Sequence, residues 1–455
     1  MKNIFLISIL LIIFATNCKN TTVKQQKTEN KTLTYHQYPQ KIQKSIIYEV
    51  NVRQYSPEGT LVEFEKHLPR LKELGVEILW FMPIQPIGVE NRKGDLGSYY
   101  AVRDYTAVNQ EFGTLEDFKR IVKEAHELGM IVILDWVANH SAWDNVWVKQ
   151  HPDWYSKDDK GNIVSPVPDW TDVADFNYNN PHMRQGMIEA MKYWVDSCDI
   201  DGFRCDVAMM VPTDFWEQAR PELEKNKKLF MLAEAEEVDL MQSAFDMHYS
   251  WDFYHTMVDI AHNKKKAADL HNLMINPLKN MPQRAIPMYF TSNHDENSWN
   301  GTDQELYNGH QDLFTVLTYC VPGIPLIYSG QEACNNTRLR FFYKDTIDWK
   351  ECQMTDLYKK LAKLKQNNSA LWNKPFGADI EFVNTGNNDI LAFVRKLDTN
   401  TVVCFFNMSD NNVNLKLSNT AVEGVFTDFF EDKQVEFTNS MQIEMNKWSF
   451  KVFVK

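Results

Sequence analysis

From residue 44 onward, short apolar runs rich in β-branched residues alternate with stretches whose apolar positions recur every three or four residues. The first run, 46–52, reads Ile-Ile-Tyr-Glu-Val-Asn-Val, and a helical pattern follows over 60–74. Thr60 and Glu63 have capping-box spacing there, and Gly75 supplies a stop. The unit then repeats. Strand 76–83 precedes helix 114–128, which has a Thr114/Asp117 box and a Gly129 stop. Strand 130–137, helix 183–196, strand 200–207, helix 214–225 and strand 229–235 come next. Runs at 245–249, 286–292 and 324–329 bring the strands to eight, with helices over 311–321 and 356–366. Near-continuous apolar strands suit a sheet covered on both faces, and strand–helix alternation suits parallel pairing. The pattern predicts an α/β fold, a closed (β/α)8 TIM barrel over 44–370.

Two stretches break the rhythm. Between the third strand and its helix, residues 141–180 carry Trp143, Trp147, Trp154 and Trp170. That is too long for a simple βα loop and predicts a short excursion domain over the barrel mouth. Beyond 371 the chain turns to short alternating runs, including 390–394, 402–406 and 450–454, which predict a C-terminal antiparallel β-sandwich over 371–455. At the other end, Lys2, an apolar run over 4–15 and Thr16-Asn17-Cys18 read as a signal peptide, 1–17. The apolar run falls short of the roughly 20 residues of a membrane span. Residues 18–43 are polar and read as a flexible tether.

A chain of 455 residues suits one large barrel plus a smaller module. Its formal charge of −13 argues against nucleic acid or an anionic membrane surface as the main partner. Seven cysteines show no metal-ligand spacing, and Cys205 and Cys320 sit in apolar runs. An exported chain can hold a disulfide, with Cys334 and Cys352 as the candidate pair.

Barrels present functional side chains at the C-terminal ends of their strands. Those ends hold Asp135, Asn139 and His140, then Arg204 and Asp206, then Glu234, then His294 and Asp295. Convergent carboxyl groups suit glycosidic cleavage, in which one protonates the leaving oxygen and another attacks or stabilises the sugar carbon. Arg204 shares a strand face with Asp206 and is expected to keep it ionised and its pKa low. Glu234 follows the apolar Phe230-Met231-Leu232-Ala233, which is expected to raise its pKa. Glu236 lies on the same strand face and stays open as an alternative acid.

Several segments resemble the α-amylase family, glycoside hydrolase family 13, in the family's order. Asp135-Trp136-Val137-Ala138-Asn139-His140, Gly202-Phe203-Arg204-Cys205-Asp206-Val207-Ala208 and Phe290-Thr291-Ser292-Asn293-His294-Asp295 are similar to three of its signatures. Shorter likenesses at 75–80, 100–105, 173–177 and 323–332 fall between and around them. The resemblance implies Asp206 as nucleophile, Glu234 as general acid/base and Asp295 as a third carboxylate that binds sugar hydroxyls. It implies that His140 and His294 hold hydroxyls beside Arg204, and that Tyr100 stacks on the sugar ring. Those histidines also have a bland reading as structural residues. No cofactor is required for the chemistry. Asn139 and Asp175 match positions that bind structural Ca2+ in many members, although Asn139 can equally brace its loop. The implied reaction is retaining hydrolysis of α-1,4 bonds in an α-glucan or maltooligosaccharide. Transglycosylase, α-glucosidase or cyclomaltodextrinase activity is the alternative within the family, and a non-catalytic glucan-binding lipoprotein is the alternative outside catalysis.

Two departures stand out. Met209 and Met210 occupy positions where many members carry Lys-His, on the leaving-group side. Cys18 resembles the acylated cysteine of bacterial lipoproteins, but Asn17 stands where Gly or Ala is usual. That resemblance implies a membrane partner through lipid on Cys18 and an exported, anchored protein on the periplasmic or cell-surface face.

Overall fold

The computed structural model describes residues 40–276, 278–416, 422–438 and 441–455. The signal peptide, Cys18 and most of the tether lie outside the described residues. Eight parallel strands close into a barrel: β1 (Ile47–Val50), β2 (Ile78–Phe81), β3 (Ile131–Trp136), β4 (Gly202–Cys205), β5 (Phe230–Ala233), β6 (Met247–Tyr249), β7 (Ile286–Tyr289) and β8 (Ile324–Tyr328). Strands adjacent in sequence pair in order, and β8 closes on β1 through Ile47↔Leu326. The strands are shorter than the apolar runs that predicted them; on β4 and β5 the end of the run belongs to the loop that carries Asp206 and Glu234.

Period-two alternation divides the strand residues between two cores. Ile47, Ile78, Trp80, Ile133, Phe230, Leu232 and Met288 fill the barrel interior, whereas Tyr48, Leu79, Phe81, Val132 and Phe203 pack outward among the helices. Gly202 opens β4 on the inward side. A Cβ there would stand 1.8 Å from the Phe230 carbonyl oxygen, so only a glycine lets β4 and β5 lie at this spacing.

The helices bear out their sequence signals with two exceptions. Helix Leu115–Glu127 has the complete Thr114/Asp117 box. The single helix expected over 60–74 is two, Leu61–Glu65 and Leu68–Leu74. Thr60 caps the first, but the Glu63 carboxylate pairs with Lys66 rather than closing a box. Pro69 restarts the helix after the break. The stretch between β6 and β7, given no helix from sequence, holds Trp251–Ala261 and Ala267–Ile275. The first of these is rich in aromatic and β-branched residues, whose intrinsic helix propensity is weak, so packing rather than local preference makes it helical.

The segment read as tether to residue 43 ends earlier. Gln40–Lys44 forms a 3-10 turn with Ile42 buried in the barrel interior, and Asn373 Nδ2 donates to the Ile42 and Ser45 carbonyls at 2.7 and 3.2 Å. In the excursion, His140–Ala142 pairs antiparallel with Val173–Asp175. Trp147 stacks on Tyr105 (4.9 Å) and meets Trp154 edge-on, so these two tryptophans anchor the excursion in the core it shares with the barrel's outer layer. Beyond β8, Cys334 and Cys352 are disulfide-bonded, whereas Cys198, Cys205, Cys320 and Cys404 are free and buried.

The C-terminal region is a six-stranded antiparallel sheet faced by a two-stranded ribbon, Val413–Lys416 with Gln442–Met445. Along Asn400–Asn407, Val403 and Phe405 point to the ribbon, while Val402, Cys404 and Phe406 join the core that includes the barrel's outer layer. The central strands of this sheet are therefore covered on both faces.

Substituting Gly202→Ala forces β4 off β5 and should destabilise the protein by about 2–3 kcal/mol. Urea unfolding checks this, and an unchanged midpoint would contradict the inter-strand spacing.

Candidate active site

The alternation that fills the barrel floor with apolar side chains also assigns the polar layer above it. Inward positions on β1, β3, β4 and β5 continue past Ile47, Ile133, Gly202 and Leu232 to Glu49, Asp135, Arg204 and Glu234, with Asp206 two residues beyond Arg204. Arg204 is fully buried at the centre. Its Nη1 donates to Asp135 (2.9 Å) and Asp206 (3.1 Å), and its Nη2 forms an ion pair with Glu234 at 3.0 Å. Its Nε donates to the Tyr249 hydroxyl at 3.2 Å. The guanidinium also faces the rings of Trp80, Tyr100 and Tyr249. Glu234 accepts a second contact from the Val207 N–H at 2.8 Å. Val207 holds the left-handed conformation (φ 35°), unfavourable for a β-branched residue, and this turn aims its amide at the acid.

A second cation supports the opposite side. His294 Nδ1 lies 2.5 Å from Glu49 Oε1, and its Nε2 lies 3.2 Å from Asp295 Oδ2 and 2.7 Å from the Tyr100 hydroxyl. Tyr100 stacks on the His294 ring (5.4 Å, 21°) and donates to Asp135 at 3.0 Å, as does Trp80 Nε1 at 3.1 Å. His140 is buried beside this group against Trp170, with its ring nitrogen 3.3 Å from Asn139 Nδ2.

Five carboxyl groups thus surround two cations. Burial opposes charge on His294, but Asp295 and Glu49 outweigh it and hold the imidazolium well above the usual histidine range. Asp295 is the one acid held low: burial works against its charge and is overcome by His294, with help from Arg204 and the Trp299 side chain. Burial raises Asp135 and Glu49, against their cations. Asp206 is pushed well up by burial and by facing Glu234, with Arg204 opposing; Glu234 is raised by burial, with Arg204 again opposing. The expectation that Arg204 keeps the Asp206 pKa low is therefore corrected. One guanidinium is divided among three carboxylates, and its share per acid does not offset desolvation. Asp206 and Glu234 titrate as a pair, each raised by its surroundings. His140 is driven down to about 3 by burial and stays neutral.

The strand-end residues of the sequence reading, Asp206, Glu234, Asp295, Arg204 and His294, converge here, as does Tyr100. Glu236 does not: it contacts the Asp252 N–H at 3.5 Å, outside the Arg204 network. Glu49, Trp80 and Tyr249 were given no role from sequence. Glu49 had a signal, a lone acid within an apolar strand; the two rings had none.

The family description "Alpha amylase, catalytic domain" matches residues 13–172 and 167–376. The chain belongs to the α-amylase family. A second description, "Maltogenic Amylase, C-terminal domain", matches 380–452. Among solved family structures, the maltogenic α-amylase AmyB of Thermotoga neapolitana is 33% identical, with a TM-score of 0.82 over 90% of this chain and 98% of that one. An α-amylase of Lactobacillus plantarum is 30% identical at a TM-score of 0.82, over 91% and 99%. The α-amylase MalA of Haloarcula japonica is 26% identical over 80% of this chain, which spans 55% of that relative's length.

Calcium of the kind the family resemblance implied finds a poor fit. Asn139 turns its amide to His140, and Asp175 lies opposite His140 in the antiparallel pair of the excursion. Those two supply two of the six to eight oxygens that calcium takes, and among the described residues no group of three His, Cys, Asp or Glu side chains is placed to hold an ion.

Asp206→Asn removes a buried charge from a cluster in which acids outnumber cations, and should stabilise the protein by about 1 kcal/mol at neutral pH. Because folding raises the Asp206 pKa, the stability linked to its protonation is complete below the unfolded pKa and lost as pH rises through the folded one. The advantage of the variant is therefore largest at neutral pH and disappears in acid. Thermal unfolding from acid to neutral pH measures it; a variant less stable throughout would refute the charge argument.

Proposed function

We propose that the protein is a retaining hydrolase of α-1,4-linked glucans or maltooligosaccharides, with Asp206 as nucleophile and Glu234 as general acid/base. One observation carries the reading: a single buried guanidinium contacts both carboxyl groups. That suits the short separation of retaining enzymes, roughly 5–5.5 Å, rather than the roughly 6.5–9.5 Å of inverting ones. In the productive microstate the pair's proton is on Glu234. Asp206 attacks the anomeric carbon while Glu234 protonates the departing oxygen. Glu234, now ionised, then takes a proton from water, and that water displaces Asp206 with net retention. Asp295, kept ionised by His294, accepts from ring hydroxyls, and Tyr100 covers the sugar's apolar face. His140, neutral at working pH, offers a hydroxyl partner without adding charge.

A specific feature supports a second reading, transfer to another sugar. Met209 and Met210 are exposed in the turn that follows Asp206 and make an apolar lip. Such a lip binds water poorly and leaves room for an acceptor ring to compete with hydrolysis. Relatives named maltosyltransferases, such as that of Picrophilus torridus at 25% identity over 88% of this chain and 66% of its own, accord with that chemistry. The proposal also includes export and anchoring, with cleavage before Cys18 and acylation of its thiol.

Asp206→Asn and Glu234→Gln are each expected to lose at least about 10²–10⁴ in turnover, with Glu236→Gln close to wild type. A dead Glu236→Gln beside an active Glu234→Gln would overturn the assignment. Proton NMR of the first product from maltoheptaose should show the α-anomer, and chains longer than the substrate would mark the second reading. For the anchor, Cys18→Ser should move the protein from the membrane to the soluble fraction; a variant that stays on the membrane argues against lipid on Cys18.

A further inference from the structure

Trp299 has no part in the chemistry above, yet it is the most exposed aromatic side chain among the described residues, at 54%. It stands in the π-helical turn Glu296–Asn300 immediately after Asp295, and π turns concentrate at functional sites. Its side chain follows Asp295 by four residues in the same turn and helps to hold the Asp295 carboxyl group low. Its ring lies against Phe341 (5.3 Å, 32°), Phe341 is stacked on Tyr100 (6.1 Å, 20°), and Tyr100 is stacked on His294. A wall of aromatic rings therefore runs from the buried carboxylate cluster out to solvent, and Trp299 is its outermost face.

The wall is built on fixed backbone. The Leu339 N–H donates to Asn297 Oδ1 at 2.8 Å, and Ser298 Oγ donates to the Leu339 carbonyl at 2.6 Å, tying the loop after β7 to the loop after β8. Buried Arg53 donates to the carbonyls of Phe341 and Gly97, which joins the loop after β2 to the same assembly. A Cβ at Gly94 would come within 2.5 Å of Phe342 Cβ, so the loops meet without slack. An isolated exposed tryptophan needs no explanation. A tryptophan braced at the outer end of an aromatic stack that begins at the carboxylates matches a pyranose, which presents an apolar C–H face beside a rim of hydroxyls.

We propose that Trp299 stacks on a glucosyl unit of a linear α-1,4 chain beyond the ring held by Tyr100. Trp299 is thus a specificity-determining residue that favours oligosaccharides over single-glucosyl substrates. The inference rests on the function proposed above and names the part of the substrate that the site reads.

The test compares maltoheptaose with 4-nitrophenyl α-glucoside, which has no second glucosyl unit. Trp299→Ala should lower kcat/KM on maltoheptaose by roughly tenfold more than on the aryl glucoside, mostly through KM. Trp299→Phe keeps a ring face, so it should leave the ratio of the two substrates near wild type. Equal losses on both substrates with Trp299→Ala would reduce Trp299 to a loop brace and overturn the inference. Calorimetry in the Asp206→Asn background separates the two readings. If the wild type cleaves α-glucans but Trp299→Ala leaves maltoheptaose binding unmoved, the stacking role fails alone. If the wild type cleaves none and binding still weakens about tenfold, the stacking role stands and the hydrolase reading fails. No binding of maltoheptaose in either background rejects both.

Discussion

One desolvated guanidinium organises this protein's working end. Arg204 has no exposed surface, and it contacts three carboxyl groups, a tyrosine hydroxyl and the faces of three aromatic rings. Removing a charge from water is costly, and only a dense set of partners makes such a position tenable. Those partners are the groups that face the mouth. The cation's stability and the convergence of Asp135, Asp206 and Glu234 are therefore one constraint seen from two sides.

The same arithmetic sets the protonation of the site. Two cations cannot neutralise five carboxyl groups, four of them buried, so the acids separate by environment. Asp295, paired with the His294 imidazolium, is held low, whereas Asp206 and Glu234, sharing Arg204, are raised together. That division suits a chemistry in which one carboxylate stays charged to bind hydroxyls while a neighbouring pair exchanges a proton. It also makes the site a destabilising element within an otherwise well-packed barrel, tolerated because the apolar layers beneath and the helices around it supply the folding free energy.

Position along the barrel axis follows from a simple alternation. Residues two apart on each strand face the interior, so an apolar floor of Ile47, Ile133, Phe230 and Leu232 is succeeded at the mouth by Glu49, Asp135, Arg204 and Glu234. Gly202 belongs to the same scheme. Its missing side chain leaves room for the neighbouring Phe230 backbone and brings β4 and β5 together, and with them Asp206 and Glu234.

Much of this was legible along the chain, because barrel strands and amphipathic helices are written in local periodicity and caps. The eight strands, the excursion, the C-terminal sheet and the strand-end acids could all be read that way. The Cys334–Cys352 pair also matched, though only the fold brings those cysteines together. What depends on distance in space was not legible. Helix Trp251–Ala261 is held by tertiary packing against its own weak propensity. Glu234 was preferred over Glu236 along the chain, but that it alone of the two reaches Arg204 is a fact of the fold. The raised Asp206 pKa follows from burial and then from charges brought in by other strands, where the sequence displayed only the nearest one. Trp299 was one aromatic among many until the loops after β2, β7 and β8 met beneath it. Local sequence determines which elements form and which face they bury; only closure of the barrel decides which charges must share a partner.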